Sequence, residues 1–225
     1  MGAYTFLNGF FPEDLVERAR QAGYSDDNIL ILQDNEDSLK EYYPDTYDNI
    51  LSCIYNRDSR SPMEYARDLV ASWLFEDFVL DEINASGMHA KLNGADRQRK
   101  VLPVSKVSSN SDIVVSYDGK KKQLELMNDY TGYWQKNGKI DLRDDKYRKL
   151  VQTASLFLGI SLATPGTQHN YILLEFSKEI SANPISSHRA YGGKPAYSIQ
   201  VARDLLIPFT FQDFDHIVAA IQATF

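Results

Sequence analysis

Cysteine is nearly absent from this 225-residue chain, with Cys53 the only one. A disulfide scaffold is therefore excluded. The place of Cys53 in the apolar run Ile50, Leu51, Cys53, Ile54 marks a buried thiol rather than a nucleophile or metal ligand. No apolar stretch approaches the roughly 20 residues that span a bilayer, and the N-terminus lacks the basic region and apolar core of a signal peptide. A reducing cytoplasm is the expected compartment, with no membrane partner. Histidine is scarce too. His89, His169, His188 and His216 form no close pair with one another or with Cys53, which argues against structural zinc. Internal repeats and low-complexity tracts are lacking.

Charge is present but unevenly spread. The net value of −7 alone argues mildly against a nucleic-acid partner, yet residues 1–90 carry 18 acidic and 6 basic side chains while residues 91–225 carry 13 and 18. This asymmetry is compatible with a positive groove on the second portion, and equally with lysines scattered for solubility.

Periodicity divides the chain into three stretches. Residues 1–61 read as a helical annex, with a short helix through Leu15, Val16 and Ala19 and another from Tyr47 to Tyr55. Its many carboxylates fall in solvent-like turns. The strongest helix signal follows, where Ser61 caps, Pro62 suits the first turn and Glu64 completes a capping box. On this helix Leu69, Trp73, Leu80 and Ile83 recur on one face, and Glu76 falls on the same face. A carboxylate there needs a partner or a cation, unless it reaches water or a neighbouring arginine. After Gly87 strands are expected: Val101–Val107, then Ile113–Tyr117 headed by Asp112, then Gln123–Met127 after the turn residues Asp118 and Gly119. Alternation puts Leu124 and Leu126 on one face and Glu125 and Met127 on the other. Asp141–Asp145 lead into a helix whose stripe is Leu150, Thr153, Ala154 and Phe157, stopped by Gly159. A strand at Tyr171–Phe176, a glycine turn at Gly192 and Gly193, a helix around 198–206 and a last helix at Asp213–Ala223 complete the reading.

The middle thus runs helix, strand, strand, strand, helix, strand, with Glu76, Asp112 and Glu125 as its acidic set. Asp112 and Glu125 can approach across adjacent strands, and Glu76 can join from the packed helix. Three such carboxylates repel one another unless a divalent cation stabilises them, and magnesium, an oxygen-seeking ion, suits that donor set.

Residues 62–178 resemble the PD-(D/E)XK nuclease superfamily, which includes many type II restriction endonucleases. Ser111-Asp112-Ile113-Val114-Val115 is similar to the family's Pro-Asp strand motif with serine in place of proline. Glu125-Leu126-Met127 is similar to its Glu-x-Lys motif with methionine in place of lysine, and Glu76 matches the acidic residue on the helix before the sheet. The resemblance implies a restriction-endonuclease-like α/β fold, a central mixed sheet flanked by helices. It also implies a catalytic set of Glu76, Asp112, Glu125 and position 127, and Mg2+ held by the three carboxylates. Methionine cannot supply the charge with which the family's lysine polarises water. Three accounts follow: another base such as Lys122, Lys146 or Lys149 takes the role, the domain binds without cleaving, or the chain is an inactivated variant.

A rim of basic residues suits phosphate binding: Arg97, Arg99, Lys121, Lys122, Lys136, Lys139, Arg143, Lys149, Arg189 and Lys194. The expected function is magnesium-dependent, sequence-specific cleavage of double-stranded DNA, with a homodimer implied by the restriction-enzyme resemblance. A non-catalytic DNA-binding or assembly protein, or a repair or phage nuclease, is the alternative. The annex (1–61) and the C-terminal extension (179–225) would supply base-reading elements within one extended domain.

Overall fold

The computed structural model describes residues 2–53, 60–106, 110–161, 169–176 and 180–225. It divides into two compact units, residues 1–78 with 95–108, and residues 79–94 with 109–225.

The first unit begins with five short helices: α1 (Ala3–Asn8), α2 (Leu15–Gln21), α3 (Asp26–Leu32), α4 (Glu36–Tyr42) and α5 (Pro44–Ser52). Asp14 caps α2 through Val16 N–H, and Asn35 caps α4 through Ser38 N–H. The expected end of the Tyr47 helix at Tyr55 lies outside the described residues. The long helix α6 (Pro62–Ala85) starts where its capping box predicts. Ser61 N–H donates to Glu64 Oε2 at 2.6 Å, and Glu64 N–H donates to Ser61 Oγ at 3.2 Å. Through its middle α6 is buried at Val70, Ala71, Trp73, Leu74 and Phe75, a wider apolar surface than the single stripe expected from sequence. The expected strand at Val101–Val107 does not form over its described part, where residues 101–103 are irregular and Val104–Lys106 is a 3-10 turn. Asn49 and Cys53 satisfy the carbonyls of Val101 and Leu102, so this segment's backbone bonds to helical side chains instead of to a sheet.

The second unit holds two sheets. The larger contains β1 (His89–Leu92), β2 (Ile113–Tyr117), β3 (Lys120–Asp129), β5 (Leu156–Ser161), β6 (His169–Glu175) and β9 (Ile207–Phe209), side by side in that order. The smaller has β4 (Lys139–Arg143) paired with β8 (Ala196–Gln200), which pairs with β7 (Ala182–Ile185). Helices α7 (Tyr133–Asn137), α8 (Asp144–Thr153) and α9 (Phe214–Gln222) complete the unit. The fold is mixed α/β with a six-stranded mixed sheet. Every pairing in that sheet is antiparallel except β3 with β5, which run parallel because α8 lies on the connection between them.

Several expected elements form as read, including the β2–β3 hairpin. Its two turn residues, Asp118 and Gly119, both have positive φ (46° and 72°), which matches the right-handed twist of the strands they join. The last helix also forms. Others differ. Leu156–Ser161 is a strand, whereas Phe157 was expected on the helix before it. That helix ends at Thr153, with Ala154 in a left-handed conformation, and β5 is buried along its whole length. Gly159 does not stop a helix. A Cβ there would stand 2.7 Å from the Trp134 ring and 2.9 Å from Ile172, so glycine lets the indole lie on the strand. Asp141 lies on strand β4, not in a helix lead-in. The region expected to be helical at 198–206 is strand β8 followed by a 3-10 turn at Arg203–Leu205, because Ile199 sits in the sheet's apolar face and Pro208 follows closely.

Candidate nuclease site

The hairpin register pairs Ile113 with Leu124, so the next step along both strands sets Asp112 opposite Glu125. Backbone bonds fix Asp112: its carbonyl accepts from Asn93 N–H at 2.7 Å and from Gly94 N–H at 3.3 Å. Its Oδ2 accepts from Leu126 N–H at 2.8 Å, tying the carboxylate to the strand that carries Glu125. Glu125 is buried on β3, flanked by Phe157 on β5.

A buried carboxylate next to another one needs positive charge. Lys146 supplies it, with its Nζ 2.6 Å from Glu125 Oε1. The phase of α8 explains why this lysine and not its neighbours. Lys146 precedes the fully buried Leu150 by four residues, so both project from the face that packs into the unit. Lys122 is engaged elsewhere, 2.8 Å from Glu175 on β6.

Met127 shares the Glu125 face but is absorbed by packing. It lies against the cluster built from Trp134, Leu150 and Phe157. Glu76, on α6, has a guanidinium for a partner, with Arg99 Nη1 at 2.7 Å from its Oε2. The same guanidinium bonds Asp77, which also accepts from the Tyr24 hydroxyl. Arg99 keeps its proton more firmly than an ordinary arginine, because the charges of Glu76 and Asp77 outweigh burial. Arg99 is thus held by two carboxylates within the first unit. Among the described residues no group of three or more His, Cys, Asp or Glu side chains is disposed to hold a metal ion. The pair formed by Asp112 and Glu125 still suits magnesium, which keeps most of its waters and takes one or two carboxylates.

The remaining basic candidates differ in exposure and in their ion pairs. Lys139 stands 3.6 Å from Asp141 and Arg143 stands 3.2 Å from Asp145. Arg97, Lys121, Lys136, Arg189 and Lys194 are exposed, and Lys149 is half-buried on α8.

The sequence reading missed a second polar constellation. Asp141, buried on β4, accepts at Oδ2 from the Tyr133 hydroxyl at 2.7 Å and lies 3.1 Å from His188 Nε2, while its carbonyl accepts from Tyr191 OH at 2.6 Å. Burial works against the Asp141 carboxylate, but Ser198, Tyr133, His188 and Lys139 around it prevail and hold its pKa below the usual value. Burial and the nearby Asp141 push Tyr191 up to about 12. The alternation Ile140, Asp141, Leu142 was the available signal, since it placed an acidic residue opposite the apolar face of a short strand.

No family model and no curated protein matches the sequence. Among solved structures the chain is similar to Hjc of Archaeoglobus fulgidus, a Holliday junction resolvase from an archaeal hyperthermophile. The likeness has a TM-score of 0.33 at 12% identity and covers 63% of this chain and 93% of that one. Among the described residues no helix is long and apolar enough to cross a membrane.

Proposed function

We propose that the protein is a magnesium-dependent DNA endonuclease in which Lys146 has taken the place left by Met127. The observation that carries this reading is Asp112 set opposite Glu125 by the β2–β3 register, with Lys146 of α8 ion-paired to Glu125. Two carboxylates and one ammonium leave a net charge of −1, a setting that attracts a divalent cation and, once it is bound, tolerates a phosphate. Asp112 and Glu125 would hold magnesium, whose role there is to activate a water and neutralise a phosphate oxygen.

The chain's own groups do the rest. The Leu126 N–H bond keeps the Asp112 carboxylate turned toward β3. Lys146, 23% exposed at its side chain, can both pair with Glu125 and present its ammonium to an incoming phosphate or water. Exposed Lys121, Lys136, Arg189 and Lys194 offer charges for the DNA backbone. Sequence-specific cleavage of duplex DNA by a homodimer is the finer form of the proposal, and it rests on the resemblance to type II restriction endonucleases.

The test is incubation of purified protein with plasmid and genomic DNA, with magnesium or with chelator, followed by sequencing of the ends. Discrete metal-dependent ends support a restriction-type enzyme, and scattered metal-dependent ends a repair-type nuclease. Binding without cleavage would overturn the catalytic proposal in favour of a silent DNA-binding module.

A further inference from the structure

The first unit carries a surface that nuclease chemistry does not use. Residues 24–48 hold eight carboxylates, Asp26, Asp27, Asp34, Glu36, Asp37, Glu41, Asp45 and Asp48, against the single Lys40. Among the described residues only one of these acids has a basic partner within ion-pairing distance, Asp34 with Arg67 at 3.3 Å. Lys40 stands over the Tyr47 ring.

Within this acidic segment lies an apolar groove of about 510 Å³, between α3 and the junction of α4 with α5. Ile29 and Leu30 contribute from α3, Tyr42 and Tyr43 from the junction, and Asp26 lines the groove with them. Tyr42 is 66% exposed, the most exposed of the large apolar side chains among the described residues. Tyrosine presented in this way is a common anchor of interfaces, because its ring offers area at little entropic cost and its face attracts cations.

We infer that this groove docks a basic protein segment, one in which lysine or arginine side chains flank an aliphatic anchor. The anchor would lie on Ile29 and Leu30, and the cationic heads would meet Asp26 and the tyrosine faces, within the negative field of the acidic segment. Charge complementarity selects the partner. A nucleic-acid backbone is repelled by eight carboxylates, whereas a cationic chain is steered toward them and its methylene stems cover the apolar floor. The inference stands apart from the nuclease reading, since it uses none of Asp112, Glu125 or Lys146.

The experiment uses the full chain and two fluorescein-labelled peptides of equal charge, one of lysine, arginine and leucine, the other of lysine, arginine and serine. Binding is followed by anisotropy, and the contact residues by backbone amide shifts in NMR. The leucine peptide is expected to bind at least tenfold more tightly and to shift Leu30, Tyr42 and Tyr43. Tyr42→Ser, a change at an exposed position that spares the fold, is expected to weaken it about tenfold, and Asp26→Lys should weaken it too. Equal affinity for the two peptides, no response to Tyr42→Ser, or full displacement by an equal concentration of spermidine would overturn the inference. So would concentration-dependent dimerisation that Tyr42→Ser abolishes, since the groove would then belong to a second copy of the chain.

Discussion

Lys146 reaches Glu125 across 2.6 Å although 20 residues separate them in the chain. The ammonium therefore enters the candidate site from α8, beyond α7 and β4, not from position 127 on the motif strand.

Removing that charge should affect chemistry as well as stability. Lys146→Ala is expected to lower magnesium-dependent plasmid cleavage by roughly 100-fold or more, in the range of lost acid–base or electrostatic catalysis, and also to cost stability because buried Glu125 loses its cation, so rates are compared at a temperature where circular dichroism shows the variant folded. Lys146→Arg should retain part of the rate. Wild-type cleavage by Lys146→Ala would leave the Met127 position without this substitute.

Restoring lysine on the strand should not help. Met127→Lys places an ammonium against the Trp134 and Phe157 cluster, at a cost of about 1–3 kcal/mol in a urea titration, and cleavage should not rise. A tenfold gain in rate at equal DNA binding would show instead that position 127 is a vacant catalytic place.

Glu76 and Arg99 should behave as a structural pair. With side-chain exposures of 14% and 12%, they lose more if the shared cation goes than if one carboxylate is neutralised. Arg99→Ala is expected to destabilise by about 3–5 kcal/mol, because it takes the shared cation from both Glu76 and Asp77, and Glu76→Gln by less. Loss of cleavage in Glu76→Gln at unchanged stability would return this residue to the metal-binding set.

Gly159→Ala tests the close approach of the indole. The added methyl would sit 2.7 Å from Trp134 and 2.9 Å from Ile172, so a loss of about 1–3 kcal/mol and a changed tryptophan emission are expected. Unchanged melting and emission would mean that the ring has room to move.

Asp141 sets part of the acid limb of stability. Its folded pKa is depressed, so its contribution is fully present above the unfolded value, about 3.9, and is lost as pH falls through the lower folded one. Asp141→Asn should therefore cost about 1.5–3 kcal/mol at pH 7, with the gap to wild type narrowing below pH 4 in parallel urea titrations. A gap independent of pH would contradict the depressed pKa.

Local chemistry made some of the fold readable and left other parts hidden. Ser61 and Glu64 announce α6, and Asp118 and Gly119 announce the hairpin, because caps and tight turns are decided by residues within three or four positions. The two-residue alternation on β3 then separates Glu125 and Met127 from Leu124 and Leu126. By contrast, Leu156–Ser161 is buried on both faces and has no alternation, so nothing local distinguishes it from the end of a helix. Strands β4 and β8 stabilise one another across more than 50 residues of sequence. Asp112 and Glu125 were legible as neighbours because one short turn joins them. The Arg99 partner of Glu76 and the Lys146 partner of Glu125 depend on how distant segments pack, and sequence could only offer them among several bases.

The small sheet grips α8 from both ends of its own chain path. Strand β4 runs directly into the helix, and Tyr197 of β8 stacks on Tyr147 at 4.2 Å and receives a bond from Arg148 at 3.1 Å. Tyr147 is the residue next to Lys146. Residues 182–200 are thereby geared to the lysine: exchanging this segment to alter which molecule the protein contacts would also move the ammonium, so any redesign there must keep the Tyr147–Tyr197 stack as its fixed axle.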